Sequence, residues 1–202
     1  MEFGHLFGGM LVDRKQEILL GAAKSFSMFG YKATTMEQVA KIANVGKGTI
    51  YNFFTNKEEL LQEVVISMIR DMKTEADKTM LPSASFIENA HNGLMKMLQF
   101  REQHLLFAKL IEEEKAIQTP AVKQMLMKVE EEIVTYLAER IRVGIQKNEI
   151  RPCKPELVGY LLLKSYLAMV VDWHLTHEEA LHEDEILDLF KETIFRGIAT
   201  AP

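Results

Sequence analysis

The chain has 202 residues, of which 48% are hydrophobic and 26% are charged, and its net charge at pH 7 is −5. This length provides for one large hydrophobic core or two smaller ones, and only five prolines among abundant helix-forming residues favour an all-α fold. The single cysteine, Cys153, excludes an intrachain disulfide framework and is typical of a reducing cytoplasm.

The N-terminal segment precedes the first predicted helix. Residues 1–9 lie before a second methionine, Met10, and contain neither a basic region nor an apolar run long enough for a signal peptide. We interpret residues 1–9 as a leader or disordered segment without function. From Val12 to Phe29 the apolar residues recur at helical spacing, which predicts a first helix that ends at Gly30.

Residues 35–54 predict two short helices joined by a sharp turn. Thr35 and Gln38 have the spacing of a capping box at the start of the first helix. Asn44 stands at the turn, and asparagine is one of the few residues besides glycine that tolerates a left-handed conformation. The second helix begins after Gly46, which is an acceptable N-cap. Proteins use this arrangement to place a helix in a groove of DNA.

The outward face of the second helix carries groups that suit DNA, while Ile50 and Phe54 face inward. Its cation, hydroxyl, phenol and amide suit phosphate oxygens and base edges, and its glycines allow the backbone to approach a phosphate closely. Lys57 lies at the start of the next helix, where free N–H groups favour an anion, and is the strongest candidate for a phosphate contact. The predicted DNA-binding residues are Thr35, Gly46, Lys47, Gly48, Thr49, Tyr51, Asn52 and Lys57.

This polar outer face also has a simpler interpretation, because any small helical hairpin exposes polar residues to water. The charge distribution favours DNA. Residues 10–57 carry seven Lys or Arg against three Asp or Glu, whereas residues 58–202 carry seventeen against twenty-five. An acidic protein with a basic N-terminal quarter concentrates its attraction for polyanions in that quarter.

The rest of the chain predicts a long connecting helix at 58–78 and a second helical domain at 79–202. The helices of this domain are predicted at 84–101, 104–117, 120–147, 157–175 and 183–199. The segment 157–175 is apolar on nearly every side, so it needs cover on two faces. Its charged residues and the acidic segment after it argue against a membrane span and favour a subunit interface. The predicted interface residues are Leu161, Leu162, Val170, Ile186, Phe190 and Ile194.

The N-terminal third contains a series of short motifs: Gly30-Tyr31, Thr34-Thr35, Val39-Ala40, Lys47-Gly48-Thr49-Ile50-Tyr51, Phe54 and Lys57-Glu58-Glu59-Leu60-Leu61. Together they resemble the N-terminal domain of the TetR family of transcriptional regulators. The resemblance covers roughly residues 12–72, and the rest of the chain resembles the family in being helical and in its length. Two positions depart from the family pattern, because Asn44 replaces the usual glycine and Gly46 replaces the usual serine or other capping residue.

The resemblance implies an N-terminal three-helix DNA-binding domain with a helix-turn-helix, at 10–57, and a larger helical domain for ligand binding and dimerisation. It implies a homodimeric repressor that binds a palindromic double-stranded DNA operator in the cytoplasm and is released by a small, largely apolar effector. It also implies that Tyr51 holds a phosphate through its hydroxyl. The alternative is an architectural or protein-recruited DNA-binding factor of the same fold without a small-molecule effector. The sequence offers no catalytic motif, so we predict neither enzyme activity nor a cofactor.

Flexible thioethers and aromatic rings line adaptable apolar cavities, and the second domain is rich in both. Each such residue is also, by its spacing, an ordinary core position. We therefore name the candidates for effector binding with that alternative left open. They are Met97, Phe100, Phe107, Met125, Tyr136, Tyr166, Met169 and Trp173.

Two polar clusters have simpler interpretations than ligand sites. The run Glu112–Glu114 could attract a cationic ligand, but its pattern is more typical of a solvated helix face. His174, His177, Glu178 and His182 form no tight ligand set. We predict an exposed helix end at that position and no metal site, since scattered His and Glu residues are normally exposed.

Overall fold

The computed structural model describes residues 3–173 and 177–200, with side chains described for 14–100, 105–173 and 177–200. The described part of the chain is helical throughout, apart from its connections and an isolated antiparallel bridge between Ile150 and Ala199. The all-α prediction is confirmed. The α-helices are α1 Phe3–Ala33, α2 Met36–Ile42, α3 Lys47–Tyr51, α4 Lys57–Lys78, α5 Phe86–Leu98, α6 Arg101–Ile117, α7 Pro120–Gln146, α8 Pro155–Leu167, α9 Glu183–Leu189 and α10 Arg196–Ile198. Two π-helical segments, Ala168–Asp172 and Phe190–Phe195, continue α8 and α9.

Helix α1 is longer than predicted. The sequence predicts a helix over 12–29, whereas the helical backbone begins at Phe3, inside the segment interpreted as a leader or disordered segment. Met1 and Glu2 lie outside the described residues. The predicted end of the helix at Gly30 is confirmed, because Gly30 has φ 79° and ψ 169° and interrupts the helical backbone before a last turn to Ala33.

The described helices divide into two compact units. Unit 1 contains the chain up to Met68 together with Leu105–Leu126, and unit 2 contains Ile69–His104 and the chain from Met127 onward. The sequence predicted domain boundaries at residues 57 and 78, and it placed Leu105–Leu126 in the second domain. An amphipathic pattern shows that one face of a helix is buried, but it does not show which neighbour covers that face.

The core of unit 1 holds the first four helices together. Helices α1 and α2 approach closely at Gly21, where a Cβ atom would lie 2.7 Å from the Ala43 Cβ atom. Helices as short as α2 and α3 are not stable alone, so burial of their apolar side chains in this core is what holds them in place. Its fully buried residues include Ile18, Ala22, Phe26, Val39, Ile50, Leu60, Leu61 and Val65.

A buried apolar cluster forms the core of unit 2, with members Leu98, Ile186, Leu187, Phe190 and Phe195. Two residues of the predicted dimer interface, Ile186 and Phe190, belong to this cluster. Ile186 and Phe190 are only 4% and 2% exposed within a single chain, so in this arrangement they offer little surface to a partner. Three further predicted interface residues pack against the same cluster and are partly buried: Leu162, Val170 and Ile194. The apolar stripe of the last helix was recognised correctly, but its period cannot distinguish cover by the same chain from cover by a second chain.

Helix α8 leaves one apolar face uncovered in the single chain. Leu157, Tyr160 and Leu161 are 64%, 43% and 51% exposed, and Tyr160 and Leu161 lie three and four residues after Leu157, on the same side of the helix. Leu161 is the predicted interface residue that remains exposed. None of the described helices is both long enough and apolar enough to cross a membrane.

Candidate nucleic-acid interface

Helix α2 begins with the capping box that the sequence predicts. The Gln38 N–H donates to the Thr35 hydroxyl oxygen at 3.2 Å, and the Thr35 N–H donates to the Gln38 side-chain oxygen at 2.8 Å. These two bonds satisfy N–H groups that a helix start otherwise leaves without a partner. The buried side chains of Met36 and Val39 then fix the inner face of α2 against the core of unit 1.

The turn between α2 and α3 depends on one left-handed residue. Asn44 has φ 53°, as predicted, and the Val45 N–H donates to the Ala40 carbonyl at 3.0 Å. Gly46 caps α3 through its backbone alone, since its carbonyl accepts the Thr49 N–H at 2.9 Å and it has no side-chain oxygen to offer. The start of α3 therefore lacks the side-chain cap that serine supplies in the family pattern.

Helix α3 separates its residues cleanly into a buried and an exposed face. Ile50 is fully buried, and Phe54, just beyond the helix, is 1% exposed. Tyr51 is 46% exposed, and open space surrounds Gly48 where a side chain would begin. The outward residues predicted to meet DNA thus face solvent together, with Thr49 partly covered: Lys47, Gly48, Thr49, Tyr51 and Asn52.

A carboxylate lies beside the cation of α3. The Lys47 ammonium forms an ion pair with Glu37, in the first turn of α2, and lies 5.9 Å from the centre of the Tyr51 ring. The hydrogen bond from Lys47 lowers the pKa of the Glu37 carboxyl, and the same bond raises the pKa of Lys47. Both side chains are more than half exposed, so the ion pair is open to solvent and to a DNA phosphate that approaches Lys47.

We expect Lys47→Ala to weaken binding to DNA of every sequence. If Lys47 neutralises one phosphate, the slope of log affinity against log salt should fall by about one unit, because one fewer counterion is released. Glu37→Gln is the matched change of opposite sign, and it should strengthen binding because Lys47 loses a competing partner. Titration of labelled duplex over a salt series measures both slopes. A slope unchanged in Lys47→Ala would exclude a phosphate contact by this residue.

Helix α4 starts with the predicted cap, but the side chain of its first residue, Lys57, has partners that were not predicted. The Glu59 N–H donates to the Asn56 side-chain oxygen at 2.9 Å, which confirms the cap. The Lys57 ammonium, however, donates to the carbonyls of Tyr31 at 2.7 Å and Thr34 at 2.8 Å. In the DNA-free protein this ammonium is bound by carbonyls at the end of α1, which lack helical partners and attract a cation. That Lys57 contacts a DNA phosphate stays a prediction.

Unit 1 contains a buried carboxylate that was not predicted from the sequence. Glu113 was expected on a solvated helix face, but it is only 7% exposed. Its two carboxylate oxygens each accept the Lys32 N–H at 3.1 Å, and one accepts the Thr119 hydroxyl at 2.9 Å. A signal was present, because Glu113 continues the spacing of the fully buried Leu106 and Leu110 along α6. Neighbouring glutamates on both sides concealed that spacing.

The eight residues predicted to bind an effector are divided between the two units. Phe107 and Met125 are buried in unit 1. In unit 2, Tyr166 and Met169 pack against the buried cluster, and the Tyr166 hydroxyl donates to the Met97 carbonyl at 3.3 Å. Their grouping in one effector site stays a prediction.

The remaining three candidates of unit 2 have polar neighbours. The Tyr136 hydroxyl donates to Asp77 at 2.5 Å, and burial together with this carboxylate raises the pKa of Tyr136 to about 12. The Trp173 indole N–H donates to the Glu179 carbonyl at 3.0 Å, and the Lys96 ammonium lies 5.9 Å from the centre of the Phe100 ring. These contacts orient the rings, and they would also explain aromatic residues at these positions without an effector.

The histidine-rich segment after α8 is described from His177 onward. His174 lies outside the described residues. His177, Glu178 and His182 are exposed, and the His177 ring stacks on Trp173 with ring centres 3.6 Å apart. Among the described residues, no three His, Cys, Asp or Glu side chains are grouped closely enough to hold a metal ion.

Comparison with known proteins places this geometry in context. The profile of the family described as "Bacterial regulatory proteins, tetR family" matches residues 18–64, which include α2, α3 and the turn between them. The uncharacterized HTH-type transcriptional regulator YhgD of Bacillus subtilis is 45% identical over 190 residues, covering 94% of this chain and 99% of that protein. The HTH-type transcriptional repressor AcnR of Corynebacterium diphtheriae is 24% identical over 186 residues, covering 90% of this chain and 91% of that protein.

Solved structures share the fold at lower sequence identity. A putative TetR-family regulator from Rhodococcus sp. superposes with a TM-score of 0.80 at 16% identity, over 94% of this chain and all of that one. The transcriptional regulator FadR from Bacillus subtilis, solved in complex with stearoyl-CoA, superposes with a TM-score of 0.72 at 18% identity, over 89% of this chain and 98% of that one. These similarities concern the fold alone.

Proposed function

The chain belongs to the TetR family of bacterial regulatory proteins and is a transcriptional regulator rather than an enzyme, and from this we propose that it is a dimeric repressor released from a palindromic operator by an effector. The observation that carries the proposal is the construction of α3. Ile50 and Phe54 are buried, and a cation, a phenol and an amide face solvent beside them within the basic part of the chain. Such a helix can contact phosphates and base edges in the major groove.

The exposed face of α8 supports the dimer. Three large apolar side chains, Leu157, Tyr160 and Leu161, are exposed together, and covering them requires a second surface. A twofold dimer would present two α3 helices to half-sites roughly 34–36 Å apart, and its operator would share that symmetry. We retain Leu161 as an interface residue, and we now expect Leu157 and Tyr160 beside it in place of Ile186 and Phe190.

The proposed effector is small and largely apolar. The solved FadR protein from Bacillus subtilis holds stearoyl-CoA, which supports an acyl or similar apolar ligand for a chain of this fold. We expect the site in unit 2, near Met97, Tyr166 and Met169, where a flexible thioether and an aromatic ring border the buried cluster. Repression, rather than activation, is supported by the repressor AcnR among the relatives.

The effector would act through a difference in its affinity for two arrangements of the dimer. Helix α4 has residues in both units, so a shift of α4 on effector binding would change the separation of the two α3 helices. The alternative, an architectural or protein-recruited factor, requires no such response. An apolar ligand library screened by thermal shift separates the two proposals, because only the first predicts a ligand that raises the melting temperature and releases DNA.

We expect Thr49→Val to alter sequence preference more than overall affinity. The substitution keeps the shape of the side chain and removes the hydroxyl, so a contact with a base edge would be lost at one position of the site at a cost of about 1 kcal/mol. Thr55→Val is the matched control, since Thr55 is exposed outside α3. Binding to a panel of single-base variants of the operator measures the change. Uniform weakening over the panel would contradict base contact by Thr49.

Selection of genomic DNA tests the proposed function directly. The purified protein is mixed with genomic fragments at moderate salt, bound fragments are sequenced, and the number of chains on each enriched site is determined by sedimentation. We expect a shared palindrome occupied by two chains. Enrichment without a common motif would contradict operator binding and would favour the architectural alternative.

A further inference from the structure

The segment Gly30–Thr34 contains the last turn of α1, after the break at Gly30, and leads to α2; we call it the connection. Two charged side chains that are distant in sequence hold it in place. Lys57, the first residue of α4, contacts the carbonyls of this connection, and Glu113, near the end of α6, contacts an N–H group of it. All of these residues belong to unit 1. The connection leads directly into Thr35, the N-cap of α2.

Lys57 binds the carbonyl side of the connection. Its ammonium donates to the carbonyls of Tyr31, Lys32 and Thr34 at 2.7, 3.3 and 2.8 Å, and it lies 4.4 Å from the centre of the Tyr31 ring. Burial lowers the pKa of Lys57 below its usual value, while the charge of Glu113 partly opposes that effect. The ammonium thus supplies a hydrogen-bond donor to three carbonyls at and just beyond the end of α1.

Glu113 binds the opposite, N–H side. Both carboxylate oxygens accept the Lys32 N–H at 3.1 Å, and the Thr119 hydroxyl fixes the carboxylate from the beginning of α7. The carboxylate also lies against Gly30, where a Cβ atom would be 2.7 Å from the Glu113 Oε2 atom. A buried carboxylate is costly unless its oxygens are satisfied, so its position and that of the connection are mutually constrained.

The far end of the connection is equally constrained. Thr34 is only 1% exposed. Its hydroxyl donates to the Gly30 carbonyl at 2.8 Å and lies 3.2 Å from the Ser25 hydroxyl oxygen. A displacement of Lys32 would therefore be passed to Thr34 and to the capping box that starts α2. Helix α3 packs on α2, so the position of α3 depends on the same connection.

We propose that Glu113 is a positioning residue for DNA binding: by holding Lys32, it fixes α2 and α3 in the arrangement that binds the operator. Its effect on DNA affinity rests on the proposed function. Its effect on the structure of α2 and α3 depends on unit 1 alone. It also makes the end of α6 a place where a structural change would alter operator affinity without any contact to DNA.

A purely electrostatic role of Glu113 and a positioning role predict opposite changes in DNA affinity when the residue is replaced. If Glu113 influenced DNA only through its negative charge, removal of that charge would strengthen binding to a polyanion. If Glu113 positions α2 and α3, its removal weakens binding although the protein becomes less acidic. Glu112 is the matched control, because it is the adjacent residue, carries the same charge and is exposed.

The experiment compares full-length Glu113→Ala, Glu113→Gln and Glu112→Ala with the wild type, using an operator fragment enriched from the genome at one fixed salt concentration. We expect Glu113→Ala to bind about tenfold more weakly, with Glu113→Gln near the wild type because its amide oxygen still accepts the Lys32 N–H. Glu112→Ala should bind as well as the wild type or better. Stoichiometric titration of each protein gives the competent fraction, so partial unfolding is not mistaken for reduced affinity. Equal or tighter binding by Glu113→Ala would overturn the proposal.

Hydrogen exchange of the free proteins supplies a readout that does not depend on DNA. We expect amides of residues 36–52 to exchange faster in Glu113→Ala than in Glu112→Ala, with protection restored in Glu113→Gln. Faster exchange confined to 30–34 and α6 would show a purely local role and would overturn the proposal. If the wild type prefers no DNA sequence, the proposed function fails, and the exchange data still decide whether Glu113 positions α2 and α3.

Discussion

Replacing Phe54 by alanine is expected to destabilise unit 1 by about 3–5 kcal/mol, because removal of a large buried aromatic ring leaves a cavity that the surrounding helices cannot fill. Phe54 is 1% exposed and joins the end of α3 to the start of α4. Its ring also lies 5.7 Å from the Lys15 ammonium of α1. Since α3 has only five residues and depends on such packing, DNA binding should be lost together with stability. Denaturant unfolding followed by circular dichroism measures the change.

Phe53→Ala is the matched control, because it removes the same ring from a partly exposed position one residue earlier. We expect a loss of no more than about 1–2 kcal/mol, in proportion to the smaller area that Phe53 buries. Equal destabilisation by the two variants would contradict the assignment of Phe54 as the residue that fixes the end of α3 in the core of unit 1.

Gly30→Ala is expected to cost about 2–4 kcal/mol of stability, for two reasons that combine. With φ 79° and ψ 169°, Gly30 occupies a backbone region that is essentially restricted to glycine. In addition, the new methyl group would lie 2.7 Å from Glu113 Oε2 and would displace the carboxylate from the Lys32 N–H. Operator affinity should fall together with stability. Thermal and denaturant unfolding of the full-length protein provide the measurement.

Gly48→Ala is the control for Gly30→Ala, because it replaces a glycine that has an ordinary helical backbone conformation. Gly48 lies inside α3 with open space around the position of a Cβ atom, so alanine should stabilise unit 1 by about 0.5–1 kcal/mol through its higher helix propensity. DNA affinity should nevertheless decrease if the α3 backbone approaches a phosphate at this point. A Gly30→Ala variant as stable as Gly48→Ala would show that the conformation of Gly30 is not required.

The features that were predictable from the sequence depend on short-range patterns. The capping box of Thr35 and Gln38, the left-handed Asn44 and the buried Ile50 and Phe54 all follow from residues a few positions apart. Spacing at this range determines which side chains share a helix face and which backbone groups need a cap. The helix-turn-helix was therefore predictable down to individual residues.

The features that were not predictable depend on contacts between distant segments. Lys57 has the same local pattern whether its ammonium binds a phosphate or the carbonyls of Tyr31 and Thr34, and only the end of α1 decides between them. Glu113 is surrounded by glutamates, and its burial depends on the Lys32 N–H, which is 81 residues away in sequence. Likewise, the apolar stripe containing Phe190 was predicted at a dimer interface, whereas Phe190 packs in a buried cluster of its own chain.

The most direct test of sequence-specific regulation by α3 is the ratio of two dissociation constants at one physiological salt concentration. One is measured for a palindrome enriched from genomic fragments, and the other for a duplex of the same length and composition with its bases shuffled. We predict a preference of at least about 1,000-fold for the palindrome, the lower end of the range for specific DNA-binding proteins. A ratio near one would contradict the account, because it would mean that the basic N-terminal face attracts DNA through its phosphates without distinguishing sequence.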